Sequence, residues 1–301
     1  MGEMSEGAGE ISGSEDMLAQ SGHELAAEKS KRIIMFCDLR DSTEILMNFE
    51  QGRYRLEGES EQEVTYDQFI FDVHKTSYEY LYLGHKKTHT EIYGDGLMAI
   101  FPEDNTKYIM ENIYRLTDRM RAYNETTCAG KCRPSIDIGF GITTGDIALV
   151  YYYLDSRKHP IGMGVHEAAR IEGKSKYYDA RILVSEHFFK EAETYINEDE
   201  RFSYRFIDRV FLKNFHEPIT LYELLVDNDP RFGKKIDSIP YYSEAYAAYC
   251  QRDWSLAKEG FQKVYDKFGL GIGKVMAARC DTLSQSPYNR DWDGVWNLKD
   301  K

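Results

Sequence analysis

Up to about residue 226 the chain alternates short apolar runs with helical periodicities; beyond it the spacing is that of paired helices. "RIIMFCDL" (32–39) is an apolar run closing on an acid, the pattern of a strand buried on both faces. "DSTEILMNF" predicts a helix, since Ser42 or Thr43 can cap it and Ile45, Leu46 and Phe49 share a face. The polar stretch "EQGRYRLEGESEQEVTYDQ" leads to a second predicted helix around 66–84. "HTEIYGDGLMAIF" (89–101) predicts a hairpin with a tight Gly-Asp-Gly turn. Residues 105–124 place Ile109, Ile113, Leu116 and Met120 along one helical face.

"SIDIGFGITTGDIALVYYY" (135–153) predicts two strands around a Thr-Gly-Asp turn, and "MGVHEAARIEGKS" (163–175) a helix. "RILVS" (181–185) predicts a strand, "EHFFKEAE" a helix, and "LKNFHEPITLYEL" (212–224) a closing pair of hairpin strands. Strands and helices alternate without βαβ regularity, so the expected class is α+β: a mixed sheet flanked by helices. The expected organisation is a flexible Gly/Ser/Glu-rich leader (1–28), a main domain (29–226) and a small helical C-terminal unit (227–301). In that unit, residues 241–268 set small residues against aromatics, as in one unit of a helical repeat. One such unit cannot bury its own face, so it is expected to pack on the main domain or on a partner.

Composition narrows the function. The chain has 301 residues, 42% hydrophobic and 30% charged, as in ordinary globular proteins, and no apolar run long enough to span a membrane. A net charge of -13 argues against nucleic acid or an anionic membrane as the main ligand, but not against a small phosphate compound held by a metal. The five cysteines include Cys128 and Cys132, too few together for a zinc site, so free thiols and a cytoplasmic location are expected.

Two acids then stand out. Asp38 closes the first strand and Asp95 sits in the hairpin turn; a sheet that sets these elements side by side makes their carboxylates converge. Oxygen-only donors of this kind suit Mg²⁺ or Mn²⁺, which work with substrate phosphates. "LRDST" follows at once and opens a helix, whose free N–H groups can cradle a phosphate. Taken singly, either acid could be only a turn or capping residue.

Several motifs, in order, resemble those of class III nucleotidyl cyclases. "FCDLRDST" looks like the first metal motif, "IYGDGLMAIF" the second, "GMGVHEAARIE" the catalytic helix and "LKNFHEPITLYEL" the closing segment, together covering about residues 30–225. The resemblance implies two Mg²⁺ or Mn²⁺ ions per site, held by Asp38, Asp95 and Leu39. Arg40, Asp41, Ser42, Thr43 and Lys213 would bind phosphates, His166 would orient the ribose, and Arg170 would act in catalysis. Glu91 and His159 would read the base. It also implies a head-to-tail homodimer in which Asp38 and Asp95 serve one site while Glu91, His159 and Arg170 of the same chain serve the other.

Some positions depart from the pattern. Glu91 stands where adenylyl members carry Lys, and a carboxylate cannot donate to adenine N1. His159 replaces Asp or Cys, and can donate or accept according to its tautomer. His166 replaces Asn, Asp41 replaces Gly and Ser42 replaces Phe. The longer segment around 48–64 offers Tyr54 as a residue that could narrow the base pocket. With "AARCDTL" and "DWDGVWNL" in the tail, the chain is most similar to the pyrimidine cyclases of bacterial antiphage (Pycsar) systems. That implies cyclic UMP, or else cyclic CMP, made as a messenger for a separate effector protein. A guanylyl cyclase and a catalytically inactive nucleotide-binding relative are the alternatives.

Overall fold

Strand β1 (Lys29–Leu39) is the spine of the sheet, pairing antiparallel with β3 (Gly96–Pro102) on one side and β4 (Ile138–Tyr151) on the other. The protein is described here by a computed structural model that covers residues 29–54, 65–81, 89–128, 133–151, 158–285 and 292–298. The expected leader 1–28 and residues 55–64 of the polar stretch lie outside these. The remaining strands are β2 (His89–Tyr93), β5 (Lys158–Ile161), β6 (Ile182–Ser185), β7 (Phe202–Phe211), β8 (Ile219–Val226) and β9 (Trp296–Asn297). They order as β2-β3-β1-β4-β6-β8-β7-β9, with β5 on the end of β4. The β4–β6 and β7–β9 pairs are parallel and the others antiparallel, so the sheet is mixed and the class is α+β.

Side chains of β1 alternate between two apolar layers. Ile33, Met35 and Cys37 join one core with α1 (Ser42–Glu50), α2 (Tyr66–Leu81), α3 (Thr106–Tyr123) and α5 (Glu186–Glu198). The residues of α3 that bury are Ile109, Ile113, Leu116 and Met120, as their spacing predicts. On the opposite face Ile34 packs with Met98, Ile100, Ile147 and Ala168, the last from α4 (Met163–Glu172). Helix α4 lies very close to β4, because a Cβ on Gly141 would fall 2.1 Å from the backbone nitrogen of Glu172. Only glycine allows that approach.

Three local readings change. The segment expected to turn at Thr-Gly-Asp continues as one strand: Ile33, Arg32 and Lys31 pair with Thr144, Gly145 and Asp146 in unbroken register. The closing hairpin lies earlier than predicted, between β7 and β8, so residues 212–218 form its connection. Helix α1 is entered through Asp41, in the left-handed region at φ 59, and no side chain caps it; neither Ser42 nor Thr43 does so. The four described cysteines, Cys37, Cys128, Cys250 and Cys280, carry free thiols.

Helices α6 (Phe232–Cys250), α7 (Trp254–Phe268) and α8 (Gly271–Ser284) follow the sheet. Asp253 caps α7 through the Leu256 N–H, and Gly269, at φ 70, ends it. Tyr242, Phe261 and Met276 of these helices share one core with Ile171, Tyr178, Leu183, Ile207 and Leu221, so the packing runs across residue 226. Buried charges cross it too. A bulge at Phe206/Asp208 turns Asp208 inward, where it accepts from the Tyr178 hydroxyl at 2.6 Å and from the Arg279 guanidinium of α8. Lys235 of α6 donates to Glu223 and Asp229, each at 2.8 Å, and Arg205 donates to Glu223 at 2.7 Å.

Breaking a buried ion pair leaves a charge with no partner, which costs roughly 3–5 kcal/mol. Arg279→Met is therefore expected to lower unfolding stability by about that amount in urea titration; a loss below about 1 kcal/mol would refute the role assigned to the pair.

The Asp229 carboxyl gives a pH signature. Burial alone would raise its pKa, but Lys235 and Arg181 hold it down at about 2. A depressed carboxyl contributes stability that is present above its ordinary pKa and lost as pH falls toward the folded value. Wild type should thus lose on the order of 2 kcal/mol between about pH 4 and pH 2 from this group. Asp229→Asn, followed by urea unfolding at several pH values, should flatten that acid limb.

Candidate active site

β1 and β3 set their acids side by side. Asp38 pairs with Gly96 in the register, and Asp95 occupies the two-residue turn between β2 and β3, where Gly94 adopts φ 63. The two carboxyls hydrogen-bond each other. Asp38 is pushed up to about 6, first by burial and then by the charge and hydrogen bond of Asp95. A third carboxyl, Glu172 at the end of α4, is raised to about 7 by burial and then by Asp38. Among the described residues no cation pairs with Asp38 or Asp95, and no group of three or more His, Cys, Asp or Glu is disposed to hold a metal alone. Two convergent carboxylates without a counter-charge still fit Mg²⁺ or Mn²⁺, which take one or two protein carboxylates and complete their shell with phosphate and water. Leu39, whose carbonyl was expected to join them, is the next residue of β1 and borders the same cleft.

The loop from Leu39 into α1 opens on that cleft, which Ser42, Thr43, Glu172 and Lys176 also border. Asp41 accepts from Lys176, an interaction that ties the loop to the turn after α4. Arg40, expected to bind phosphate, borders the same cleft. Its guanidinium donates to the Ala180 carbonyl at 2.6 Å and faces Asp137 at 3.5 Å, with its side chain 10% exposed. These contacts tie the loop to the segments just ahead of β4 and β6 that carry Asp137 and Ala180.

Glu91 and His159 meet on another part of the sheet, with Glu91 Oε1 3.3 Å from His159 Nδ1. Two residues missed in the sequence complete this group: His89 Nε2 donates to Glu91 at 2.9 Å, and the Tyr93 hydroxyl donates to its other oxygen. Burial would raise the Glu91 pKa, but the Tyr93 and His89 hydrogen bonds and the two histidines lower it, so the group stays a carboxylate. The period of a strand could have found both, since 89, 91 and 93 lie on one face of β2. Tyr54 is not part of this group. It accepts from Asn48 at 3.4 Å, packs on Phe49 and lines a cavity of about 350 Å³ with Phe69, Met120 and Ile138. That cavity holds none of the other predicted site residues.

His166 and Arg170 lie one turn apart on α4 and share a pocket of about 300 Å³ with Lys174 and Lys213. Leu298 forms part of its wall, brought there by β9, which pairs with β7 at Val210 and Phe211. The candidate residues thus gather as an acidic group, a Glu–His group and a cationic pocket, with Gly173 bordering both the acidic cleft and the cationic pocket.

The sheet and its flanking helices have the fold of solved nucleotidyl-cyclase domains. The fold is shared with a bacterial light-regulated adenylyl cyclase at a TM-score of 0.51 and 13% identity, over 67% of this chain and 92% of that one. In sequence, 173 residues are 28% identical to the terminal-differentiation-specific adenylate cyclase of Dictyostelium discoideum, covering 56% of this chain and 8% of the relative. A stretch of 137 residues is 31% identical to the adenylate cyclase of Anabaena cylindrica, covering 44% of this chain and 26% of that one. The matched segments thus span about a quarter or less of these curated relatives. The chain matches no protein-family profile. Among the described residues no helix is long and apolar enough to cross a membrane.

Asp38→Ala and Asp95→Ala are each expected to abolish Mn²⁺ binding, read by electron paramagnetic resonance titration, while the circular dichroism spectrum stays that of wild type. A variant that retains wild-type Mn²⁺ affinity would remove its carboxylate from the metal assignment.

Proposed function

We propose that the chain is a nucleotidyl cyclase that converts UTP to 3′,5′-cyclic UMP and pyrophosphate. The 3′-oxygen bonds to the α-phosphorus, the α-phosphorus–oxygen bond to the β-phosphate breaks, and the 3′-hydroxyl proton passes to solvent. Two Mg²⁺ or Mn²⁺ ions held by Asp38, Asp95 and the Leu39 carbonyl would make the 3′-hydroxyl more acidic and neutralise the phosphates. Arg170 would stabilise the charge that grows on the transferred phosphoryl group, with Lys213 on the polyphosphate and His166 on the ribose. The donors that open α1 at Ser42 and Thr43 would meet the phosphates on the acidic side.

The observation that carries the base assignment is Glu91 held between His89 and His159. The Watson–Crick edge of uracil reads acceptor, donor, acceptor (O4, N3–H, O2). Glu91 would accept from N3–H, and His159, through the ring nitrogen that does not face Glu91, would donate to O4. Guanine presents two donors side by side, N1–H and N2–H₂, which a carboxylate with both oxygens free would accept together. Cytosine turns the lone pair of N3 toward the carboxylate. A carboxylate has about four acceptor positions, and three protein donors converge on Glu91, which leaves room for one N–H from the base. Sites built on such bonds reject a mismatched base by roughly 10⁴ in favourable cases.

The purified chain with Mn²⁺ and each of ATP, GTP, CTP and UTP is expected to give cyclic UMP as the main product, resolved by chromatography. Predominant cyclic GMP would overturn the pyrimidine reading and leave a guanylyl cyclase. No pyrophosphate from any of the four would leave an inactive nucleotide-binding protein. The messenger role in antiphage defence, acting on a separate effector, follows from the resemblance of the tail and is part of the same proposal.

The resemblance implies a head-to-tail homodimer with composite sites, and Asp38 and Asp95 line other cavities than His166 and Arg170 do, which supports it. Asp95→Ala and Arg170→Ala chains, each inactive alone, should recover activity when mixed under exchange conditions, because one site in the mixed dimer receives both intact halves. Mixtures that stay inactive would place all groups of a site within one chain.

A further inference from the structure

His74 of α2 has no place in the site described so far, yet it faces the metal acids. It borders a cavity of about 10 Å³ between α2 and the ends of β1 and β3, together with Asp38, Asp95, Val73, Ser77 and Leu97. Two side-chain atoms at this spot are buried and have no protein hydrogen-bond partner among the described residues, His74 Nε2 and Asp95 Oδ2. Each such buried atom costs free energy unless a partner reaches it. A cavity of that size, about the volume of one probe sphere, accommodates a single water, and it is lined by the polar groups a buried water needs.

We propose that His74 is a positioning residue for the metal site: through one enclosed water, its Nε2–H orients the Asp95 carboxylate from the side away from the metal. The inference rests on the reading of Asp38 and Asp95 as metal ligands. In this arrangement the water accepts from His74 Nε2–H and donates to Asp95 Oδ2. Asp95 Oδ2 is then fixed, and the other oxygen, which meets Asp38, would be held in place for a cation. Carboxylates that bind metals are commonly held this way, and loss of the outer partner weakens binding. The turn at Gly94–Asp95 makes such help necessary, because Asp95 lies in the two-residue connection, outside the paired strands that hold Asp38.

The position of the nitrogen gives the test. Asparagine places an amide near the ring Nδ1 but nothing where Nε2 sits, whereas glutamine reaches the Nε2 position. In Mn²⁺ titration of the full-length protein by electron paramagnetic resonance, His74→Asn is expected to weaken binding 10–100-fold and His74→Gln to stay within about threefold of wild type. Equal affinity in the asparagine variant and wild type would overturn the proposal. Equal losses in both variants would overturn it too, since His74 would then act through packing alone. A crystal structure of the wild-type protein should show one ordered water between His74 Nε2 and Asp95 Oδ2. Its absence there would overturn the proposal even if the asparagine variant failed to fold. Wild-type protein that binds no Mn²⁺ would overturn the metal reading itself, an outcome distinct from unchanged affinity in the variant.

Discussion

The buried pair of Asp208 and Arg279 is the constraint on which the rest of the structure hangs. A carboxylate that far from water is tolerated only when it is paired and hydrogen-bonded. Its partners come from three places: Tyr178 from the turn after α4, Arg279 from α8 and Tyr246 from α6. The bulge that aims Asp208 inward therefore ties the tail helices to the helix that carries His166 and Arg170. The same logic repeats at Glu223, which holds Arg205 of β7 and Lys235 of α6 in one buried group. The tail completes the fold around the sheet. Removing it would leave Asp208, Glu223 and a shared apolar core exposed, which is why a functional role for the tail cannot be isolated by cutting at residue 226.

From that anchor the geometry of the site follows through α4. Its contact with β4 at Gly141 sets how deep the helix sits, and that depth decides what its two ends can reach. Glu172 comes within range of Asp38, while His166 and Arg170 border the pocket that Lys213 and Leu298 close. A side chain at 141 would lift the helix and move both ends together. One glycine thus couples the acidic group to the cationic pocket without touching a ligand. The C-terminal strand adds a second coupling, since Leu298 donates its N–H to Phe211 and so fixes the wall beside Lys213.

The parts legible in the sequence were those that depend on local pattern. β1, the 89–101 hairpin and α3 follow from apolar runs and spacing, and the two acids follow from where those elements end. Residues 138–151 were misread because Thr-Gly-Asp has turn chemistry; here Gly145 faces the close approach of Gly164, and Thr143 donates to Glu167 at 2.5 Å. Tertiary packing overrode the local preference. His89 and Tyr93 lay in plain view on the Glu91 face of β2, but their use depends on the pairing of strands, which no spacing states. Arg279 and Asp208 are 71 positions apart, and nothing in either neighbourhood announces the other.

The distribution of charge bears on the proposed head-to-tail dimer. The protein is acidic overall, yet its candidate site is divided: Asp38, Asp95 and Glu172 repel one another at one surface, while Arg170, Lys174 and Lys213 gather at another. The acidic surface is costly by itself, since Asp38 and Glu172 hold their protons more tightly than free carboxyls do. A nucleoside triphosphate with its metal ions carries charge that suits both, cations against the acids and phosphates against the bases. Apposing the acidic surface of one chain to the cationic surface of another would relieve both at once and place the polyphosphate between them. On that proposal, the electrostatic cost of the acidic surface would favour the assembled, liganded state over the free one.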